Sequence, residues 1–346
     1  MNQVLRVLVV DDSAYVRKVI KQMLSRSPFL EVVGSARDHT EALAMVETLN
    51  PDVVTLDLIM PGEGGLGFLK QQMPRRPLPV VVVSIAEATS ELVLDALDLG
   101  ATDFVQKPSA LATEKMFEMS DELVEKVKAA ASVKLRRPEA VKPEIVTLHA
   151  RPETTKWNFD IVVIGISTGG PQALKQVIPR LPKSFPVPIA VVLHMPVGYT
   201  DLYAQRLGEL SQLSVEEAQH GARVEPGKVL IAPAGRHLKF VRDGGGSVVI
   251  HLDAVPFDTL HRPSVDVLFR SAAEVFEDRV LAIVMTGMGT DGKEGASWVK
   301  ANGGRVFTEA ESSCVVYGMP RATFEAGLSD RVVSLEKMAE AIEETI

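Results

Sequence analysis

A serine between glycines, a histidine ending an apolar run and an aspartate in a glycine-rich loop are residue types from which acyl-transfer sites are built. The serine is Ser167, in FDIVVIGISTGGPQAL, Phe159 to Leu174. The run before it reads as a buried strand, and Gly169, Gly170 and Pro171 then open a helical pattern. A serine at such a turn stands on an exposed sheet edge near the positive end of a helix, where a developing oxyanion is favoured. Gly165-Ile166-Ser167-Thr168-Gly169 fits the G-x-S-x-G pattern of a nucleophile elbow. The same segment also reads as a turn that caps a helix or cradles a phosphate.

A nucleophilic serine needs a base, and the base needs an orienting acid. Of seven histidines, His194 ends the apolar run PIAVVLH, which puts it at the same kind of sheet edge as Ser167. Taken alone it reads as a strand-end residue satisfied by backbone. His220, His237, His251 and His261 occupy loop or hairpin contexts and read as surface or packing residues. The best acid is Asp291 in AIVMTGMGTDGKEG, whose alternative role is the N-cap of its own helix. Asp253, Asp258 and Asp266 are weaker, because none follows a clear parallel strand. Backbone N–H groups near Met288 and Gly289 are candidates for an oxyanion hole, with the helix after Ser167 as the other donor. The chain order Ser167, His194, Asp291 differs from the Ser–Asp–His order of α/β-hydrolases. A dinucleotide site is disfavoured, since Ser167 stands at the second glycine position of G-x-G-x-x-G.

A second set lies upstream. Asp11 and Asp12 follow one apolar run, Asp57 lies near the end of another, and Ser84 and Lys107 end two more. In doubly wound sheets ligands bind beyond the carboxyl ends of the strands. Carboxylates gathered there repel unless a cation joins them, and hard oxygen ligands point to Mg²⁺. A carboxylate can attack a phosphoryl donor to form an aspartyl-phosphate, with the metal and a lysine neutralising charge. Ser84 would then bond the new phosphoryl oxygens, and Phe104 would repack behind it.

These positions require two α/β sheets. Apolar strands are expected at Leu5–Val10, Val32–Ala36, Asp52–Leu58, Val80–Ile85 and Phe104–Val105. Helices fall between them: Ser13–Leu24, Thr40–Leu49, a short one at Phe68–Gln72 after the glycine-rich 62–65, and Glu91–Leu99. A long charged helix follows from Lys115 to about Leu135. Continuous apolar strands alternating with helices mean a parallel sheet covered on both faces. Arg136 to Trp157, with Pro138, Pro143 and Pro152 among charges, reads as an extended linker. Beyond it, strands are expected at Ile161–Ile164, Ile189–Leu193, Val229–Ala232, Val280–Met285 and Arg305–Thr308, with a hairpin of Leu238–Val241 and Val248–Leu252. The expected architecture is two doubly wound parallel-sheet domains: a flavodoxin-like one at 1–125, a helix end and linker at 126–156, and a Rossmann-like esterase domain with a β-hairpin at 157–346.

The net charge of −8 and pI near 5.5 give no electrostatic case for nucleic acid or an anionic membrane. One cysteine, Cys314, excludes an intrachain disulfide and suits a reducing cytosol. The first residues carry no secretory pattern and no apolar run spans a bilayer, so a cytoplasmic protein is expected.

Asp11, Asp12, Asp57, Ser84 and Lys107, with Leu56-Asp57-Leu58 followed by Met60-Pro61, resemble the receiver domain of two-component response regulators. The chain as a whole, with GISTGGPQAL, LHMP, GKVLIAPAGRHL, RPSVDVLFRSAA and MTGMGTDGKEGA in that order after the receiver, resembles the chemotaxis protein-glutamate methylesterases. The first resemblance implies Asp57 as phosphoacceptor and Mg²⁺ on Asp12 and Asp57, with the Ile59 carbonyl and Asp11 in support. Two departures are Gly64, where these domains often carry aspartate, and Ala86-Glu87, which adds no hydroxyl after Ser84. The second implies hydrolysis of glutamate methyl esters and deamidation of certain glutamines on chemoreceptors. It assigns Ser167 as nucleophile, His194 as base, Asp291 as orienter, Met288 as an oxyanion-hole N–H and Thr168 as a positioning group. It also implies a histidine kinase as phosphodonor, an esterase needing no cofactor, and an unphosphorylated receiver that occludes the cleft. A monomer is expected. Arg262 is a candidate contact to acidic receptor residues, a solvated surface arginine being the alternative. A receptor-binding regulator without catalysis is the alternative function.

Overall fold

The computed structural model describes residues 4–85, 90–107, 113–131 and 159–346. The linker Arg136–Trp157, Ala86-Glu87 and Pro108 lie outside them.

The first sheet is built from β1 (Leu5–Val10), β2 (Leu30–Ala36), β3 (Val53–Leu56), β4 (Val80–Ile85) and β5 (Asp103–Lys107). All pairings are parallel, in the order β2-β1-β3-β4-β5. Helices α1 (Ala14–Leu24), α2 (His39–Leu49), α3 (Gly64–Arg75), α4 (Ser90–Asp98) and α5 (Thr113–Ala131) connect or follow these strands. Val7–Val10 and Val53–Leu56 are buried, as expected of strands covered on both faces. The order in which strands are added reverses between β1 and β3, which opens a crevice at their carboxyl ends.

The short helix expected at Phe68–Gln72 is the longer α3, and what reads as a glycine-rich loop is partly its first turn. Gly64 has φ +62, and a side chain there would meet the Leu58 carbonyl at 2.7 Å. The glycines therefore let the helix start press against the loop after β3. The third strand also stops at Leu56, so Asp57 sits in that loop rather than within the strand.

The second sheet has seven parallel strands in the order β14-β13-β12-β6-β7-β9-β8. These are β6 (Ile161–Ile166), β7 (Ile189–Leu193), β8 (Ser214–Glu217), β9 (Lys228–Ile231), β12 (Val280–Val284), β13 (Arg305–Glu309) and β14 (Arg331–Val333). The expected hairpin is present as antiparallel β10 (His237–Arg242) and β11 (Val248–Asp253). The helices are α6 (Gly170–Val177), α7 (Thr200–Leu210), α8 (Val265–Phe276), α9 (Lys293–Ala301), α10 (Met319–Glu325) and α11 (Leu335–Thr345). β6 and β7 are wholly buried, and each fully buried aliphatic side chain contributes about 1.5–3 kcal/mol. Two edge strands, β8 and β14, were not expected from the sequence. The chain is thus an α/β protein with two doubly wound parallel sheets.

The two sheets meet through α4 and β5 of the first and α6 and α7 of the second. Gln172 Nε2 donates to the Leu97 carbonyl (2.6 Å), Lys175 pairs with Asp98, and Arg206 Nη1 donates to Asp95 (2.7 Å). The Phe104 and Tyr199 rings lie 4.8 Å apart between centroids.

Candidate active site

Three neighbouring strands of the second sheet, β12, β6 and β7, end at one rim. Ser167 follows β6, His194 follows β7, and Asp291 lies in the loop after β12. Their backbones are tied across the rim. Ser167 N–H donates to the Thr286 carbonyl (2.9 Å), and His194 N–H donates to the Ile166 carbonyl (3.1 Å). The register that sets β6 beside both β7 and β12 therefore also sets the serine between the other two.

His194 Nε2–H donates to Asp291 Oδ2 (2.9 Å), with both side chains nearly buried. A carboxylate only accepts, so this bond leaves Nδ1 as the basic nitrogen. Nδ1 is buried and has no hydrogen-bond partner among the described residues. The structure thus joins the histidine to the aspartate. It puts the serine on the same rim without a Ser167–His194 hydrogen bond.

Asp291 does not cap its own helix. Gly292 occupies the N-cap position of α9, while the Asp291 carboxylate reaches back to the start of α8. It accepts from Ser264 Oγ (2.9 Å), Val265 N–H (2.8 Å) and Asp266 N–H (2.9 Å). Burial would raise its pKa, but the His194 bond and these N–H groups overcome that and hold it below the ordinary carboxylate value. Asp291 is therefore a fixed anion facing the imidazole.

Met288 is half-buried on the loop Thr286–Thr290. That loop is clamped by Gly318 and Met319 N–H groups donating to the Gly287 carbonyl (3.1 and 2.8 Å). Thr168 is buried, and its carbonyl accepts from Thr286 Oγ1 (2.9 Å). Beneath the loop lies Glu309, a fully buried carboxyl accepting from Thr286 N–H (2.9 Å) and Ser313 Oγ (3.0 Å). Burial outweighs those bonds and raises its pKa to about 7.

His261 was expected as a surface or packing histidine, yet its ring stacks on His194 at 4.1 Å. Burial first, and the adjoining His194 imidazole second, lower its pKa to about 4 against the pull of Asp291, so it is neutral at physiological pH. Nothing in the spacing of its loop signals this contact. His237 is a buried packing residue, accepting from Ser264 N–H (3.2 Å). His220 accepts from Leu252 N–H (3.1 Å) on the hairpin, and His251 faces Asp253, which also pairs with Lys239. Asp258 is exposed on the rim of a cavity of about 480 Å³ beside Asp291. Arg262 is not a freely solvated arginine: its guanidinium lies over the Phe257 ring (5.4 Å) and donates to that residue's carbonyl (3.3 Å).

In the first sheet, Asp11, Asp12 and Asp57 place one carboxylate oxygen each within 4.8 Å of one another. Lys107 Nζ donates to Asp11 (2.7 Å) and Asp57 (2.8 Å), and Ile59 N–H donates to Asp57 (3.3 Å). Burial raises the Asp57 pKa against the pull of Lys107. Three hard oxygen donors converging beside one ammonium are a donor set that fits Mg²⁺. Ser84 is buried and pairs in register with Gln106 on β5. The Phe104 ring is buried against Tyr199, and its carbonyl accepts from Lys126 Nζ (2.7 Å).

Known proteins were compared with the chain. The sequence profile of the family described as CheB methylesterase matches residues 162–342, and that of the response regulator receiver domain matches 7–119. The chain belongs to the CheB methylesterase family. A protein-glutamate methylesterase/protein-glutamine glutaminase 5 of Myxococcus xanthus is 50% identical over 337 residues, 96% of each chain. The protein-glutamate methylesterase/protein-glutamine glutaminase of Halalkalibacterium halodurans is 45% identical, over 99% of this chain and 98% of that one. The crystal structure of the Thermotoga maritima CheB methylesterase catalytic domain is 45% identical, with a TM-score of 0.53, over 54% of this chain and 99% of that one. A CheB methylesterase with a receiver domain is thus a response regulator whose output is a hydrolase. Among the described residues, no helix is long and apolar enough to cross a membrane.

Proposed function

We propose that this methylesterase removes methyl groups from glutamate esters, and the amide from particular glutamines, on chemoreceptors, under control of a histidine kinase in a chemotaxis pathway. The observation that carries the catalytic part is the His194–Asp291 hydrogen bond at the rim that also bears Ser167. Nδ1 of His194 takes the proton as Ser167 Oγ attacks the ester or amide carbonyl. The oxyanion is met by the Met288 N–H and the N-terminal turn of α6. Protonated Nδ1 then gives its proton to the leaving methanol or ammonia. Water, deprotonated by Nδ1, hydrolyses the acyl-enzyme and restores the serine. Asp291 holds the ring and stabilises the imidazolium. Thr168 fixes the loop that follows the nucleophile. A rotation of the Ser167 hydroxyl toward Nδ1 completes the proton path when substrate enters, since such bonds are often long in unliganded sites.

In the receiver, Asp57 is the phosphoacceptor. Asp11, Asp12 and Asp57, with the Ile59 carbonyl, would hold Mg²⁺, which would neutralise charge on the transferred phosphoryl group. Lys107 bonds the phosphoryl oxygens after leaving Asp11, Ser84 adds a hydroxyl, and Phe104 repacks. Phe104 lies against Tyr199, and α4 is joined to α6 and α7, so repacking there loosens the receiver from the esterase and opens the cleft. The contacts of Gln172, Lys175 and Arg206 with α4, and of Tyr199 with Phe104, support a receiver docked on the esterase. No cofactor takes part in the ester hydrolysis.

Labelling with a fluorophosphonate tests this reading. The adduct should map to Ser167 and form faster after treatment with a small phosphodonor. Label retained in Ser167→Ala, or none in phosphorylated protein, would favour a receptor-binding regulator without catalysis.

A further inference from the structure

Asp266 stands on the first turn of α8, two residues after Ser264, and faces the start of α9. Its Oδ1 accepts from Gly292 N–H (2.9 Å) and Gly295 N–H (2.7 Å), the first-turn donors of α9 that no carboxylate of that helix reaches. Asp291, which precedes the Gly292 N-cap of α9, does the converse and accepts from Ser264, Val265 and Asp266 at the start of α8. Each helix start is thus capped by the acid of the other. The two carboxylates are close enough to repel, and burial with that repulsion raises the Asp266 pKa to about 7 despite its two N–H bonds.

We infer that Asp266 is a positioning residue for the catalytic reaction: by fixing the backbone at Gly292 and Gly295 it fixes the carboxylate of Asp291 and, through it, the imidazole of His194. The chain around Asp291 has a glycine on the following position, with Gly292 at φ +96 and Gly289 at φ +83. A loop so permissive does not hold an aspartate in one orientation by itself. Neither does α9, whose N-cap glycine supplies no side-chain bond. The crossed capping from α8 supplies what the loop lacks. A misplacement of about 1 Å in a triad can cost about 100-fold in rate.

The inference rests on the reading of Asp291 as the orienting acid, and the test separates the two. Steady-state hydrolysis of a small activated ester by the full chain is measured for Asp266→Ala, Asp266→Asn and Asp291→Asn. Asn at 266 keeps an oxygen for both N–H groups. Asp266→Ala should lower kcat about 10- to 100-fold with KM within about twofold. Asp266→Asn should restore kcat to within about threefold of the parent. Should Asp266→Ala fail to fold, a loss in folded Asp266→Asn equal to that of Asp291→Asn would overturn the inference. So would wild-type kcat in Asp266→Ala, or a drop in KM affinity alone. Wild-type kcat in Asp291→Asn would instead overturn the triad reading itself.

Discussion

Glu309 illustrates how one buried group can link catalysis to pH. It has no exposure, and its carboxyl supports Thr286, whose carbonyl holds the Ser167 N–H. Its pKa is raised from the ordinary 4.5 to about 7. A raised acid stabilises the fold fully below its unfolded pKa, and that contribution is lost as pH rises through the folded value. Glu309→Gln does not titrate. Its stability relative to the parent should therefore improve between pH 5 and pH 8, by on the order of 3 kcal/mol. Chemical unfolding at the two pH values checks this, and a constant difference would mean Glu309 is not desolvated as described. The sequence gives little sign of such a residue, since a glutamate ending a strand ordinarily reads as solvated. Only the register of β13 beside β12 brings it under the Thr286–Thr290 loop. His261 and Asp266 were hidden for the same reason: their roles come from packing between loops and helix starts, which spacing does not encode. Ser167, His194 and Asp291 were legible because each follows an apolar run or a glycine-rich turn.

At the scale of elements, most strands were readable because both faces of a parallel sheet are buried and the runs are continuously apolar. β8 and β14 escaped because SVEE is polar and β14 is only three residues long. α3 begins earlier than the pattern predicts because Gly64, Gly65 and Gly67 lower helix propensity, although the small size of Gly64 and Gly65 is what lets the helix approach the Asp57 loop. The close approach of elements also makes a prediction at the catalytic rim. A Cβ on Gly287 would lie 2.8 Å from Ser167 Cβ, with Met319 Sδ nearer still. Gly287→Ala must displace the Thr286–Thr290 loop from the turn after β6. Ester hydrolysis should fall by about 100-fold or more, while phosphorylation of Asp57, on the other sheet, continues at the parental rate. Near-parental kcat in this variant would show that the loop and the serine are not as tightly apposed as the geometry requires.

At the scale of the molecule, the contacts joining the sheets among the described residues combine polar pairs with an aromatic contact. Arg206 with Asp95 and Asp98, Lys175 with Asp98, Gln172 with the Leu97 carbonyl, and Phe104 with Tyr199 are among them. Exposed ion pairs contribute about 0.2–1 kcal/mol each. A junction of that strength suits a regulatory coupling of about 1–3 kcal/mol. Arg206→Ala should therefore raise the esterase rate of the unphosphorylated protein by about two- to fivefold and shrink the further gain on phosphorylation. An unchanged basal rate with intact stability would argue that the receiver restrains the esterase through other contacts. Methanol release from methylated receptor membranes probes the proposal that Ser167 attacks glutamate esters under control of Asp57. The full chain should release methanol and do so faster with a small phosphodonor, whereas Ser167→Ala releases none under either condition yet still takes phosphate on Asp57. Methanol release by Ser167→Ala at the parental rate would contradict it.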